Sequence, residues 1–231
     1  ALINLNSDEK NNASRGIIYQ IKEGFGSTKI KNIIRLHKDL PEDDKKNLNK
    51  LGLRFGVEYL YIPDLLKPGA VKLRALLWGI VNNTFYKDAL PEDGRVAYSP
   101  SEEAPKDWYN IIGYSKLGDR VMRVDMVERL LALIRIAARD GSFKITEEML
   151  SIAGASKEQM SKVLMDLDFE LLDQDKNQEI TFDTVFKKKK KFIFKNKTKT
   201  IKKIKKDKIL KKMKTSKNTT TNIKLNPDSP F

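Results

Sequence analysis

The clearest pattern of apolar and polar positions lies between Leu51 and Trp78. Residues 53–62 alternate in the manner of a strand, because successive side chains point to opposite faces of a sheet. The side chains predicted to share one face of this strand are Phe55, Val57, Tyr59 and Tyr61. Pro63 is expected to end the strand, since proline has no N–H to donate to a neighbouring strand.

A helix is predicted to begin at Pro68, because the first helical turn tolerates a missing N–H. Its apolar positions recur at helical spacing and form two adjoining stripes. One stripe holds Val71, Ala75 and Trp78, and the other holds Leu73, Leu77 and Ile80. We expect the strand and this helix to be the best core-forming unit of the chain.

Three further helices are predicted before this unit, at residues 14–25, at residues 28–38 and from Pro41 onward. The last of them begins with three acidic residues and continues with lysines, an order that complements the helix dipole. His37, on the second helix, is the only histidine of the chain. A metal site needs several convergent ligands, so we interpret His37 as an ordinary half-buried side chain.

Residues 83–110 contain several proline and glycine residues and are predicted to form a linker between two subdomains. The carboxylates of this segment are expected to be exposed rather than catalytic. Residues 111–124 then show the pattern of a β-hairpin with a turn at Gly118 and Asp119. A long helix at residues 126–139 follows, and Asp125 is its predicted N-cap.

The section from residue 143 onward has the element order of a winged helix. Thr146 is predicted to cap a short helix, and Ser156 to open a second helix through a capping box. Strands at residues 169–172 and 179–182 are predicted to form the wing. The second helix has mixed charges and no Arg on its exposed face, which disfavours sequence-specific DNA recognition. A structural winged helix and three short helices packed on a hairpin both explain the pattern.

These elements predict an α+β fold that is mainly α with small β elements. The first part is expected to be a helical subdomain with one strand, and the last part a disordered tail. The predicted divisions are the helical subdomain (1–82), a loop-rich linker (83–110), a hairpin with a winged-helix-like subdomain (111–186) and the Lys-rich tail (187–231).

Charge is distributed unevenly along the 231 residues. The formal net charge is +14, but residues 187–231 contain 18 Lys and two Asp. The tail therefore carries +16, and residues 1–186 carry −2. A block of like charge with few aromatic residues cannot bury enough apolar surface to fold, which predicts disorder. Three interpretations of the tail stay open: an RNA-binding arm, a tether for an anionic membrane, and compositional drift.

Several kinds of site are excluded or disfavoured by the residues present. Cysteine is absent, so disulfides and thiolate metal sites are excluded. No phosphate-binding loop Gly-x4-Gly-Lys-Ser/Thr occurs, so this chain alone is not expected to hydrolyse ATP. Residues 173–184 are similar to a calcium loop, but Gln178 stands where Gly is required and Thr184 where a bidentate Glu is required. A polar turn is the favoured interpretation, and no catalytic, cofactor-binding or metal-binding residue is predicted.

One run of residues combines Gly52-x-Arg54-Phe55-Gly56 with Ile62-Pro63-x-Leu65-Leu66-Lys67-Pro68 and closes on Leu76-Leu77-Trp78. Further blocks are Ser14-Arg15-Gly16, Gly113-Tyr114, Arg123-Val124-Asp125-Met126-Val127-Glu128-Arg129-Leu130 and Met149-Leu150-Ser151. Spread over roughly residues 14–172, these blocks resemble the region C-terminal to the motor of alphaproteobacterial superfamily-two RNA helicases. Those helicases are related to the mitochondrial RNA-degradosome helicase. None of the blocks is a catalytic motif.

The resemblance implies a non-catalytic accessory region of an ATP-dependent RNA helicase, which packs on the motor and contributes to single-stranded RNA binding. ATP and magnesium would belong to motor domains upstream of Ala1, and a cytoplasmic RNA-degrading complex is an implied partner. The expected RNA contacts, chosen by charge and position, are Arg54, Arg120, Arg123, Arg135, Arg139, Lys187, Lys188, Lys189, Lys190 and Lys191. For the arginines between residues 120 and 139, ordinary ion pairing with the nearby Asp125 and Glu128 explains the sequence equally well. Two other classes stay open: a stand-alone nucleic-acid-binding winged-helix protein with a basic arm, and a protein-interaction scaffold.

Overall fold

The computed structural model describes residues 11–172 and 180–189 of the chain. The helices of this part are α1 (Asn12–Glu23), α2 (Ile34–Lys38), α3 (Glu42–Lys50), α4 (Pro68–Asn82), α5 (Lys106–Ile111), α6 (Val124–Ala137), α7 (Glu147–Ala153) and α8 (Lys157–Asp166). Its strands are β1 (Ser27–Lys29), β2 (Arg54–Phe55), β3 (Tyr59–Tyr61), β4 (Ala97–Tyr98), β5 (Tyr114–Leu117), β6 (Arg120–Arg123), β7 (Ser142–Lys144), β8 (Phe169–Leu171) and β9 (Val185–Lys188). The strands form antiparallel sheets in the orders β1-β3-β2, β4-β6-β5 and β7-β9-β8. The predicted α+β class is confirmed.

The first sheet shows that the prediction of one strand at residues 53–62 was wrong. The chain turns after Gly56, and β2 pairs antiparallel with β3, placing Phe55 opposite Leu60. Val57 lies in the exposed turn, so it does not share a strand face with Phe55. The helix predicted at residues 28–38 is also shorter than expected, because Ser27–Lys29 pairs with β3 as strand β1.

The helices predicted at residues 14–25 and from Pro41 are confirmed as α1 and α3. They pack with the first sheet around an apolar cluster. The most deeply buried members of this cluster are Ile17, Ile21, Leu48, Leu53 and Leu60. His37 lies at the edge of the cluster, half-buried against the ring of Phe55, with ring centroids 5.5 Å apart.

Helix α4 begins at Pro68 as predicted, and Asn83 in the left-handed conformation ends it with φ 50°. Its buried side carries Val71, Arg74, Ala75 and Gly79. The second predicted apolar stripe is not part of the core. Its members Leu73, Leu77 and Ile80 are exposed, and the side of α4 that carries them faces solvent among the described residues.

Residues 83–110 contribute more to the core than a linker would. They contain β4, the first part of α5 and a 3-10 helix at Lys87–Ala89. Trp108 is completely buried, and its ring packs edge-on against Trp78 and Tyr86 at centroid distances of 5.2 and 5.4 Å. Through Trp108, the segment packs α5 against α4.

The hairpin predicted at residues 111–124 is confirmed as β5 and β6, joined by Gly118 and Asp119. The predicted N-cap of the following helix was wrong. Helix α6 begins one residue earlier than Asp125, and Arg123 occupies the N-cap position. Asp125 instead forms an ion pair with Arg123.

The caps of α7 and α8 are confirmed: Thr146 accepts a hydrogen bond from the N–H of Met149, and Ser156 forms a capping box with Gln159. The second wing strand was predicted wrongly at residues 179–182, since the strand that pairs with β8 is Val185–Lys188. The tail therefore cannot begin at Lys187. Helices α6, α7 and α8 followed by the strand pair β8–β9 keep the predicted order of three helices and a wing, and the winged-helix class stays a prediction.

The largest apolar cluster lies between α6, α7, α8 and the third sheet, and it includes Tyr59 and Leu66 from the first half of the chain. Residues on both sides of the 83–110 segment thus share a core. Residues 11–172 and 180–189 belong to one compact unit.

Candidate functional site

Glu128 on α6 connects two distant parts of the sequence. Its carboxylate accepts hydrogen bonds from the backbone N–H groups of Val57 (2.6 Å), Glu58 (2.8 Å) and Tyr59 (2.7 Å). Gly56 makes this approach possible, because a Cβ atom at that position would overlap the Glu128 carboxylate. The turn between β2 and β3 is therefore fixed to α6.

This turn brings two predicted site residues, Arg54 and Arg123, to the half-buried ring of Tyr61. Arg54 stands opposite Tyr61 in the strand pairing. Burial raises the pKa of Tyr61, and the charges of Arg54 and Arg123 oppose that shift. The exposed Arg54 guanidinium donates only to the carbonyl oxygens of Asn49 and Leu53, both at 3.1 Å, so its charge has no anionic partner among the described residues.

Arg123 is already engaged within the chain. Its Nε and Nη2 atoms donate to the two carboxylate oxygens of Asp125 at 2.7 and 2.8 Å. The same hydrogen bond raises the pKa of Arg123. A bidentate pair of this kind neutralises the guanidinium, which weakens Arg123 as a phosphate contact.

Arg120 lines a separate surface cleft of about 340 Å³ together with Arg95 and Ser99. It donates a weak hydrogen bond to the Ser99 Oγ atom at 3.3 Å. Burial lowers the pKa of Arg120, and the charge of Arg95 lowers it further. Asp88 and Glu92 line the same cleft, and Glu92 pairs with Arg95 at 3.2 Å. The cleft is therefore of mixed charge. Arg95 was not predicted from the sequence to belong to a site.

Arg135 and Arg139 lie at the C-terminal end of α6, the first in its last turn and the second just beyond Ala137. Both side chains are exposed. Neither forms a hydrogen bond or ion pair with another residue of the described part of the chain. They are free basic groups on the surface, as a phosphate contact requires.

The first lysines of the basic segment belong to the folded unit. Lys187 and Lys188 lie in β9, and Lys187 pairs with Glu170 at 3.6 Å. The Lys189 backbone N–H donates to the carbonyl oxygen of Asp168 at 2.8 Å. Lys190 and Lys191 lie outside the described residues.

Helix α8, which would face the DNA groove if the winged-helix prediction held, contacts the β5–β6 hairpin. Asp166 accepts a hydrogen bond from the Gly118 N–H at 2.9 Å, and Lys162 forms an ion pair with Asp119. The Gly118 backbone lies against Lys162 so closely that a Cβ atom would overlap it. This part of α8 is not free to enter a DNA groove.

A continuous apolar face on α4 is exposed to solvent. Ile80 and Val81 expose 69% and 79% of their surface, which is unusual for side chains of this size. The exposed apolar residues of α4 and the loop after it are Leu73, Leu76, Leu77, Ile80, Val81 and Phe85. We call this set the α4 apolar face.

No group of three or more His, Asp and Glu side chains is placed to hold a metal ion within residues 11–172 and 180–189. Most of the calcium-like segment, residues 173–179, lies outside the described residues. None of the described helices combines the length and apolar character needed to cross a bilayer. Comparisons with protein-family models, curated proteins and solved structures give no match.

Proposed function

We propose that this chain is a non-catalytic accessory region of an ATP-dependent RNA helicase, which packs on the motor domains and contributes to single-stranded RNA binding. The observation that carries the proposal is the contact between Gly56 and Glu128. These residues belong to two separate sequence blocks that resemble such helicases. Blocks that build one turn together are expected to be retained together, which supports a common origin of the whole region.

The α4 apolar face supports the packing role. A contiguous exposed apolar patch marks an interaction site. Leu76 and Leu77, which close the first resembling block, lie in this face. Because the side chains of this face are apolar, its proposed occupant is an apolar surface of the motor domains.

The RNA-binding role rests on basic side chains that have no anionic partner. Arg54, Arg135 and Arg139 are exposed and unpaired with any carboxylate among the described residues. Arg123 is neutralised by Asp125 and is the weakest of the five predicted arginines. We therefore assign RNA phosphate contacts to the three exposed arginines and to the basic segment that begins in β9. A cytoplasmic RNA-degrading complex is the proposed setting.

The test is fluorescence anisotropy of a labelled single-stranded RNA with chains 1–231 and 1–189 across a salt series. Ending at Lys189 keeps β9 intact. We expect 1–231 to bind with a steep salt dependence and 1–189 to bind more weakly with a shallower slope, because each phosphate contact releases counterions. The double variant R135Q/R139Q should reduce the slope by about two contacts, whereas K87Q should leave it unchanged.

Absence of binding by both chains would overturn the RNA-binding role, and the scaffold interpretation would then take its place. Equal binding by both chains would move the site entirely into the folded unit. The engagement of α8 by the hairpin argues only against DNA reading by this helix within the other class, a stand-alone nucleic-acid-binding winged-helix protein with a basic arm.

A further inference from the structure

Arg74 is a charged side chain in the core that forms no ion pair with any carboxylate of the described residues. Only 4% of its surface is exposed. Its Nη1 atom donates to the Leu65 carbonyl oxygen at 3.0 Å, and its Nη2 atom donates to the Ser27 Oγ atom at 2.9 Å. Its Nε atom is buried and has no hydrogen-bond partner. Burial lowers the pKa of Arg74 to about 9, and no carboxylate offsets this shift among the described residues.

A second cation, Lys29, lies on the strand that carries Ser27, the hydrogen-bond partner of Arg74. Lys29 stands two residues after Ser27 on β1, half-buried beside the Tyr59 ring, with its Nζ atom 5.6 Å from the ring centroid. Burial lowers the pKa of Lys29, and the charge of Lys31 lowers it further. Glu58 and Asp166 act in the opposite direction without forming an ion pair with Lys29.

Ser27 and Lys29 line a cleft of about 180 Å³ between β1 and the end of α5. Its wall also contains Thr28, Asn32 and Asn110, which carry hydroxyl and amide groups able to donate hydrogen bonds. No Asp or Glu is among the residues that line it. The Arg74 guanidinium stands directly behind this wall, through its hydrogen bond to Ser27.

Removing the charges of Arg74 and Lys29 from water costs folding free energy unless an anion neutralises them. We propose that this cleft binds a phosphate group, with Lys29 as its direct ligand and Arg74 as a fixed positive charge behind the Ser27 wall. Hydroxyl and amide donors complete the coordination of an oxyanion, which accepts several hydrogen bonds at once. The phosphate belongs either to a free phosphate species or to the backbone of RNA. The site itself does not depend on the helicase relationship.

The experiment is a titration of the isotope-labelled chain 1–231 with inorganic phosphate, compared with sodium chloride at equal ionic strength. We expect saturable shifts of the Ser27, Thr28 and Lys29 amide signals with phosphate only. Lys29→Met should weaken phosphate binding about tenfold or more, the usual result of losing one charge-assisted hydrogen bond. Lys87→Met, the same change at an exposed lysine outside the cleft, should leave binding unchanged.

Asn32→Asp is a second variant, since it places a negative charge at an exposed position of the cleft and leaves the core intact. It should also abolish the saturable shifts. Shifts that are linear and equal in phosphate and chloride, or affinity that is unchanged in both variants, would overturn the proposal. Arg74 would then have only a structural role, donating hydrogen bonds from α4 to the backbone at Gly24 and Leu65.

Addition of an unlabelled single-stranded oligouridylate identifies the source of the phosphate. If the oligonucleotide shifts the same amides and competes with phosphate, the cleft binds the RNA backbone. If it leaves them unchanged while inorganic phosphate still saturates the site, the ligand is a free phosphate species. A chain that binds phosphate but no RNA would overturn the proposed RNA-binding role and leave the phosphate site standing.

Discussion

At the scale of single residues, substitution of Glu128 tests whether its carboxylate stabilises the turn between β2 and β3. Its two carboxylate oxygens accept three backbone hydrogen bonds from the turn after Gly56. In Glu128→Gln one oxygen becomes an NH2 group, which must face backbone N–H donors. We expect a loss of about 2 to 3 kcal/mol of folding free energy, since hydrogen bonds to a charged group are stronger than neutral ones. Urea denaturation of both chains measures this loss.

Arg129→Gln is the matched control, because Arg129 is the exposed neighbour of Glu128 on α6. It should change stability by no more than about 0.5 kcal/mol. Equal stability of the two variants would mean that the turn does not depend on Glu128. The contact proposed to unite the two sequence blocks would then be incidental.

The burial of His37 is expected to make the folding stability of the chain depend on pH. Burial lowers the pKa of His37 from its usual 6.5, and the charge of Lys45 lowers it further. Between the lowered pKa and 6.5 the unfolded chain binds more protons, so stability rises with pH in this window and is lost as the pH falls through it. His37→Gln should flatten the dependence of the urea midpoint on pH just below 6.5.

Since the chain has one histidine, an NMR titration of its ring gives the folded-state pKa directly. A value at or above 6.5 would contradict the expected direction. Lys45→Gln serves as the control, because removing that charge should bring the pKa of His37 closer to its usual value.

At the scale of elements, the sequence predicted correctly those caps and turns that depend only on residues close together in the chain. The caps at Thr146 and Ser156 and the turn at Gly118 follow from side chains within a few residues of one another, and all three are confirmed. The break at Gly56 was missed because the carboxylate that fixes this turn comes from α6. Strand β9 was misplaced because alternation alone does not select its partner strands.

The exposed side of α4 is the element whose environment the sequence predicted wrongly. A double variant, Leu76→Ser with Ile80→Ser, should leave stability within about 1 kcal/mol of the original, since both side chains already face solvent. Val71→Ser, on the buried side of the same helix, should cost at least about 2 kcal/mol. Chemical denaturation of the three chains measures the difference.

A large loss in the Leu76→Ser, Ile80→Ser variant would mean that another part of the chain covers the α4 apolar face. The motor-packing proposal would then lose its surface. Sedimentation velocity of the same variants gives an independent measurement, because a face that self-associates would produce concentration-dependent dimers of the original chain only.

At the scale of the whole molecule, net charge and sequence position predicted the candidate site only in part. Arg135 and Arg139 form no ion pair within residues 11–172 and 180–189, as a surface contact requires, whereas Arg123 is neutralised by Asp125 two residues away. Arg74 was not predicted to belong to a site, although it shares the buried side of α4 with Val71 and Ala75. Lys29 gave no signal, because its proximity to the Arg74 region depends on the pairing of β1 with β3.

The extent of the folded unit gives the last prediction. Strand β9 is the middle strand of the third sheet, and Phe186 is completely buried against Phe143 with ring centroids 6.0 Å apart. A chain ending at Lys189 keeps these contacts and should unfold in urea with the same midpoint as chain 1–231. A chain ending at Thr184 loses both the strand and its aromatic anchor, and should be destabilised by at least about 3 kcal/mol. Equal midpoints for the chains ending at 184 and 189 would contradict the central position of β9, whereas a lower midpoint for 1–189 than for 1–231 would show that the basic segment stabilises the fold.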